Sequence, residues 1–212
     1  WHNFCYGLIR INNQTKGSDF VTGNDMLDKI IDSDNTTVGG GASSALVGAM
    51  AAGMIAMVSK LSAKKGYGLS GEEYRAIAAE LDDLAIELMA GSKRDEEAFI
   101  LLMSAYKLPK NNDEEKSIRT DAIHRGSVLA SNVPKENGFM CLRVYELGRS
   151  LLGKSNPNAG SDLLIAMELA KVGVFGCILN IRANFSGISD KKAIEELEKA
   201  VEILEQYGGR ES

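Results

Sequence analysis

Three places in the 212-residue sequence combine residue types able to bind or react. Gly39, Gly40 and Gly41 stand immediately before an apolar stretch that continues to Ser62. Glycines at the mouth of a helix leave backbone amides bare, and those amides with the helix dipole favour an anion. The same triplet equally suits a turn into a crowded helix, so alone it identifies no ligand. Asp162 follows Asn158-Ala159-Gly160-Ser161 at the head of a second apolar stretch. Either Ser161 caps a helix there and Asp162 complements its dipole, or a carboxylate is held at the mouth of the core. Asn180 and Asn184 sit one helical turn apart inside that second stretch, placed either to join helices or to touch a ligand.

Several other chemistries find no support. His2 and His124 are the only histidines and neither has a partner at metal-ligand spacing, so no metal is expected. Residues 66–71 fit the G-x-G-x-x-G spacing, but a helical pattern rather than a strand precedes them, which argues against a nicotinamide site. Cys5, Cys141 and Cys177 are odd in number and far apart, which fits a reducing compartment and a cytoplasmic protein. A net charge of −5 offers nucleic acid no electrostatic footing.

These residues need elements to hold them. With only three prolines and few alternating β-branched runs, helix is favoured throughout. Asn24 caps a short helix ending near Asp32, and the triple glycine opens a helix that reaches Ser62. Amphipathic spacing then predicts helices over 72–90 and 94–106, the latter stopped before Pro109. Further helices are expected over 113–130, from Pro134 in a first turn to about Leu152, and over 161–184. A last, charge-laced helix runs to about Tyr207 behind Ser189 or Asp190. The expected architecture is all-α, a single-domain helical bundle over 23–212 with two long buried apolar helices. Residues 1–22 carry no secretory pattern and are expected to be an N-terminal extension or leader. The apolar run 45–58 falls short of the ~20 residues that cross a bilayer, so a bundle interior rather than a membrane is expected.

Taken together, the motifs resemble the cyclodeaminase and methenyltetrahydrofolate cyclohydrolase family, which includes the cyclodeaminase half of formiminotransferase-cyclodeaminase. The resemblance rests on Val38-Gly39-Gly40-Gly41-Ala42-Ser43 and Asp95-Glu96-Glu97-Ala98-Phe99. It also rests on Tyr106-Lys107-Leu108-Pro109, on Asn156-Pro157-Asn158-Ala159-Gly160-Ser161-Asp162, and on Asn180-Ile181-Arg182-Ala183-Asn184. The family usually has proline before the glycines and serine after them; here Val38 and Ala42 hold those places, with Ser43 one position on.

The resemblance implies an all-helical homodimer acting on a tetrahydrofolate derivative, with no permanently bound cofactor and with a separate formiminotransferase as a possible companion. The implied reaction closes 5-formimino-tetrahydrofolate to the 5,10-methenyl compound with loss of ammonia; the alternative is cyclohydrolase action on the methenyl ring. A non-catalytic helical dimerisation module is the remaining reading. Ring closure asks for a base, an acid and negative charge near the amidine. The resemblance offers Asp95 and Asp162 for these roles. Lys64, Lys65, Lys107 and Arg182 are offered for the glutamate tail. Gly39, Gly40, Gly41, Ser43, Asn156, Asn158, Asn180 and Asn184 are offered for the rest of the substrate. One distance limits the scheme: Asp162 and Asn180, eighteen positions apart on one expected helix, are separated by roughly 27 Å. Both reach one reacting carbon only if a neighbouring subunit joins them.

Overall fold

The structure is a computed structural model describing residues 25–208, and among these there is no strand. Six α-helices follow one another: α1 (Asp25–Ile31), α2 (Gly40–Ser62), α3 (Gly71–Tyr106), α4 (Asp113–Ser150), α5 (Gly160–Ala183) and α6 (Lys191–Gly208). Short 3-10 turns at Pro157–Ala159 and Phe185–Gly187 bracket α5. The expected leader lies outside the described residues.

Alanine, glycine and serine dominate α2, so neighbouring backbones approach it closely, and it packs on both α3 and α5. Helices α2 and α5 run antiparallel. Gly40 abuts Asn180 at one end, and the Asn156 N–H donates to Ser62 Oγ (2.9 Å) at the other. From the inside α4 closes the pair, its Cys141 thiol lying against both Gly48 of α2 and Gly173 of α5. The buried cluster continues through Ile55, Leu81, Leu88, Val144, Leu163 and Ile178.

Two expected breaks are absent. The helices expected over 72–90 and 94–106 are one 36-residue helix, α3, entered through a Ser70–Glu73 capping box. A glycine inside a helix costs only about 1 kcal/mol, and at Gly91 the space of a side chain is filled by Asn137 of α4. Likewise 113–130 and the helix expected to begin at Pro134 are one 38-residue helix with the proline inside it. Pro134 cannot donate to the Ala130 carbonyl, which ordinarily bends or ends a helix. Here Asn184 Nδ2 donates to that carbonyl at 3.0 Å. At α5 the expected Ser161 cap is not formed: the helix begins at Gly160 with no side-chain cap. Asp190 caps α6, its carboxylate accepting the Lys192 N–H (2.9 Å).

By length and composition alone, α2 and the α5 region are apolar enough to cross a membrane. The most apolar window is 67% buried in α2 and only 44% buried in the α5 region, so a bare apolar face remains on the latter.

Candidate functional site

Asp95 leaves α3 toward the first turn of α2. The Ala42 N–H donates to its carboxylate, and a side chain on Gly41 would overlap both carboxylate oxygens. Glycine at 41 is therefore what allows the carboxylate to reach the bare amides. The chain's own Asp95 supplies an anion at this glycine-opened helix. Burial pushes the Asp95 carboxyl up from 3.8 to about 6, against the lowering effect of the Ala42 hydrogen bond. No cation pairs with it among the described residues.

Its neighbour Glu96 does structural work. With its side chain only 13% exposed, it accepts from Lys29 Nζ of α1 (3.1 Å) and from Thr37 Oγ1 (3.1 Å). The Thr37 N–H donates in turn to Asn35 Oδ1 at 2.8 Å. Glu96 thus clamps α1 and the link before the glycines beside Asp95. On the α5 side Asn180 Nδ2 donates to the Gly176 carbonyl (2.8 Å), and the amide lies against Gly40. Its Oδ1 accepts nothing among the described residues and remains available. Ser43 turns its hydroxyl back to the Gly39 carbonyl (2.9 Å). Beneath the site lie Cys141 and Cys177, both buried; their mutual hydrogen bond and then burial push the Cys177 thiol up, so it stays protonated.

Two of the expected substrate contacts make bonds within the fold. Asn184 is committed to the fold, its Nδ2 shared between the carbonyls of Ala130 and Asn180. Arg182, offered for the glutamate tail, pairs with Glu205 of α6 at 2.8 Å.

The remaining candidates occupy the other end of the α2–α5 pair. Asn156 Oδ1 accepts the Asn158 N–H (3.1 Å), Asp162 stands in the uncapped first turn of α5, and Lys64 and Lys65 are exposed beyond α2. Tyr74 fixes this end, its hydroxyl donating to the Lys154 carbonyl (2.6 Å) and accepting the Tyr67 N–H (3.0 Å). The structure therefore does not bring Asp95 and Asp162 together within one chain, because α2 and α5 are antiparallel along their full length. Lys107 belongs to neither end; twelve residues beyond Asp95 on α3, it lies roughly 18 Å away.

Two open cavities, of 450 and 280 Å³, flank His124 and Thr120 and include none of these residues. His124 Nδ1 accepts the Ser189 N–H (3.2 Å), which ties α4 to the entry of α6. No group of three His, Cys, Asp or Glu able to hold a metal occurs among the described residues.

The residues missed in the sequence are Glu96, Thr37 and Asn137. Asn137 carried one signal, a polar residue at an apolar position of α4; Glu96 carried none, since it stands in a run of charges. Chemically, a carboxyl that titrates near 6 on the wall of a helix mouth can take a proton and return it at neutral pH.

The family model described as formiminotransferase-cyclodeaminase matches residues 23–203. A methenyltetrahydrofolate cyclohydrolase of Methylorubrum extorquens is 33% identical, the match covering 87% of this chain and 90% of that protein. The formimidoyltransferase-cyclodeaminase of Rattus norvegicus is 27% identical over 79% of this chain, which spans only 31% of that longer protein. A crystal structure of formiminotetrahydrofolate cyclodeaminase from Thermotoga maritima superposes with a TM-score of 0.71 at 27% identity, over 81% of this chain and 82% of that one.

Proposed function

Since the chain belongs to the formiminotransferase-cyclodeaminase family, we propose that it closes 5-formimino-tetrahydrofolate to 5,10-methenyl-tetrahydrofolate with release of ammonia. The observation that carries this reading is Asp95, a half-buried carboxyl raised to about 6 at the mouth of α2. N10 of the substrate attacks the carbon of the protonated, amidinium-form formimino group, and the Asp95 carboxylate accepts the N10 proton. The same carboxyl, now protonated, returns that proton to the exocyclic nitrogen, and the carbon–nitrogen bond breaks to release ammonia. One group serves as base and then acid because its pKa lies close to neutrality. Asn180 Oδ1, which accepts nothing among the described residues, supplies an acceptor for a substrate N–H. The negative carboxylate also favours the cationic methenyl bridge.

The protein acts in the cytoplasm as a homodimer, holds no resident cofactor, and receives its substrate from a separate formiminotransferase. A second reading, cyclohydrolase exchange of the methenyl ring with 10-formyl-tetrahydrofolate, is favoured by the relative matched over 90% of its length. Absorbance of the methenyl chromophore decides between them. Ammonia-linked appearance from the formimino substrate supports ring closure; loss from added methenyl compound without that activity replaces it with the second reading. Neither change removes both.

A further inference from the structure

Among the described residues, burial is the one effect that raises the Asp95 carboxyl, so whatever covers the mouth of α2 governs how this group behaves. Part of that cover is the bundle itself, with Cys141 of α4 and Cys177 of α5 buried beneath. Part is α1 with the link that follows it. Met26 of α1 is buried with Ala42 and Leu46 in a small cluster separate from the main core, and Ile30 and Val38 pack on it. Ala42, which this segment covers, is fully buried and is the residue whose N–H reaches Asp95. We propose that Glu96 is a positioning residue that latches this segment over the helix mouth, and so keeps the Asp95 carboxyl out of water and seated on the Ala42 amide. The catalytic consequence rests on the folate reading above; the effect on Asp95 itself does not.

The latch uses both oxygens of one carboxylate. Oε2 accepts from Lys29 Nζ (3.1 Å) and Oε1 from Thr37 Oγ1 (3.1 Å). Lys29 lies on α1 and Thr37 just before the glycines, so Glu96 ties down the segment at two separate points. With the Glu96 side chain 13% exposed, the pair with Lys29 is shielded from salt more than an exposed pair would be. Successive residues of a helix point about 100° apart, so α3 can aim Asp95 at the glycines and Glu96 at the covering segment. A rigid backbone then joins the latch to the carboxyl it serves. The elements that meet at Asp95 bring Glu96 on α3, Lys29 with its second partner Asp25 on α1, and Cys141 and Cys177 on α4 and α5. The first turn of α2 brings no acidic residue. None of these groups shifts Asp95 directly, so the latch acts through cover rather than through charge.

The test reads Asp95 in the ligand-free protein by carbon-13 NMR titration of its carboxyl, assigned by the signal missing from Asp95→Asn. Glu96→Gln keeps the size and the Thr37 contact but loses the pairing with Lys29. Opening the segment removes burial, so the Asp95 midpoint should fall by about one pH unit toward the ordinary carboxylate range. The acid limb of kcat/KM should move down with it. Lys29→Arg, which retains the ion pair, should keep the wild-type midpoint. An unchanged midpoint in folded Glu96→Gln, even in a protein less stable than wild type, overturns the latch. So does an equal fall in Lys29→Arg. Should Glu96→Gln fail to fold, Thr37→Val, which removes a single side-chain hydrogen bond to Glu96, is read by the same criterion. A lowered midpoint in a protein inert toward folates retains the latch and removes only the folate reading.

Discussion

Asp95 and Asp162 begin from similar positions, each a carboxylate beside the first turn of a long apolar helix, yet their surroundings differ. Asp95 arrives from another helix, is half-buried, receives the Ala42 amide and is pushed up to about 6. Asp162 belongs to the helix it sits on, in a turn without a side-chain cap, near exposed lysines. The lesson is that a carboxylate carried to a helix mouth by another element is desolvated by the docking of the two, and that burial is what raises Asp95.

The largest break in this comparison is Asp95→Asn. It keeps the shape and the Ala42 contact while removing the proton transfer, and turnover should fall by about 10²–10⁴. Turnover within threefold of wild type, measured by methenyl absorbance, would return the catalytic role to some other group. Next is Gly41→Ala, whose new methyl group must displace the Asp95 carboxylate. A loss of about 1–3 kcal/mol in chemical denaturation is expected, with reduced turnover. Gly39→Ala, where a side chain meets open space, serves as the control.

Asn184→Ala probes the fold rather than the chemistry. It leaves the Ala130 carbonyl with no donor beside Pro134, at an expected cost of about 1–3 kcal/mol with KM little changed. A raised KM at unchanged stability would restore Asn184 to the substrate.

The smallest effect is in the pH dependence of stability. The folded Asp95 pKa of about 6 lies above the unfolded value of 3.8, so between these pH values the native state keeps a proton that the unfolded state has lost. Stability should therefore fall as pH rises through that window and level off above it. The full displacement corresponds to roughly 3 kcal/mol, and partial solvent access lowers the expected change to about 1–2 kcal/mol. Asp95→Asn should lack this component, and an unchanged profile in urea melts at pH 4 to 7 would show that Asp95 is not desolvated.

The helices themselves were legible in the sequence because apolar periodicity and capping residues are local. Errors arose where a local breaker is compensated from far away. Gly91 reads as a gap until Asn137 fills it from 46 positions on, and Pro134 reads as a start until Asn184, 54 positions beyond Ala130, takes the carbonyl it leaves. Asp95 was legible through the family resemblance. Its residues alone, Lys93-Arg94-Asp95-Glu96-Glu97, look like a solvated face, because the desolvation comes from the docking of α2. The separation of Asp162 from Asn180 followed from helix geometry. That Asp95 belongs with Asn180 required the antiparallel register of α2 on α5, which no local pattern encodes.

The pairing of Pro134 with Asn184 also bears on how the molecule comes apart. Helix α4 carries a defect that its own residues cannot repair, and the repair arrives only when the last turn of α5 is seated. The middle of α4 and the end of α5 should therefore open as one cooperative unit. In native-state hydrogen exchange, amides near Ala130 would lose protection together with those near Asn184, earlier than the amides of α2 that lie at the centre of the bundle.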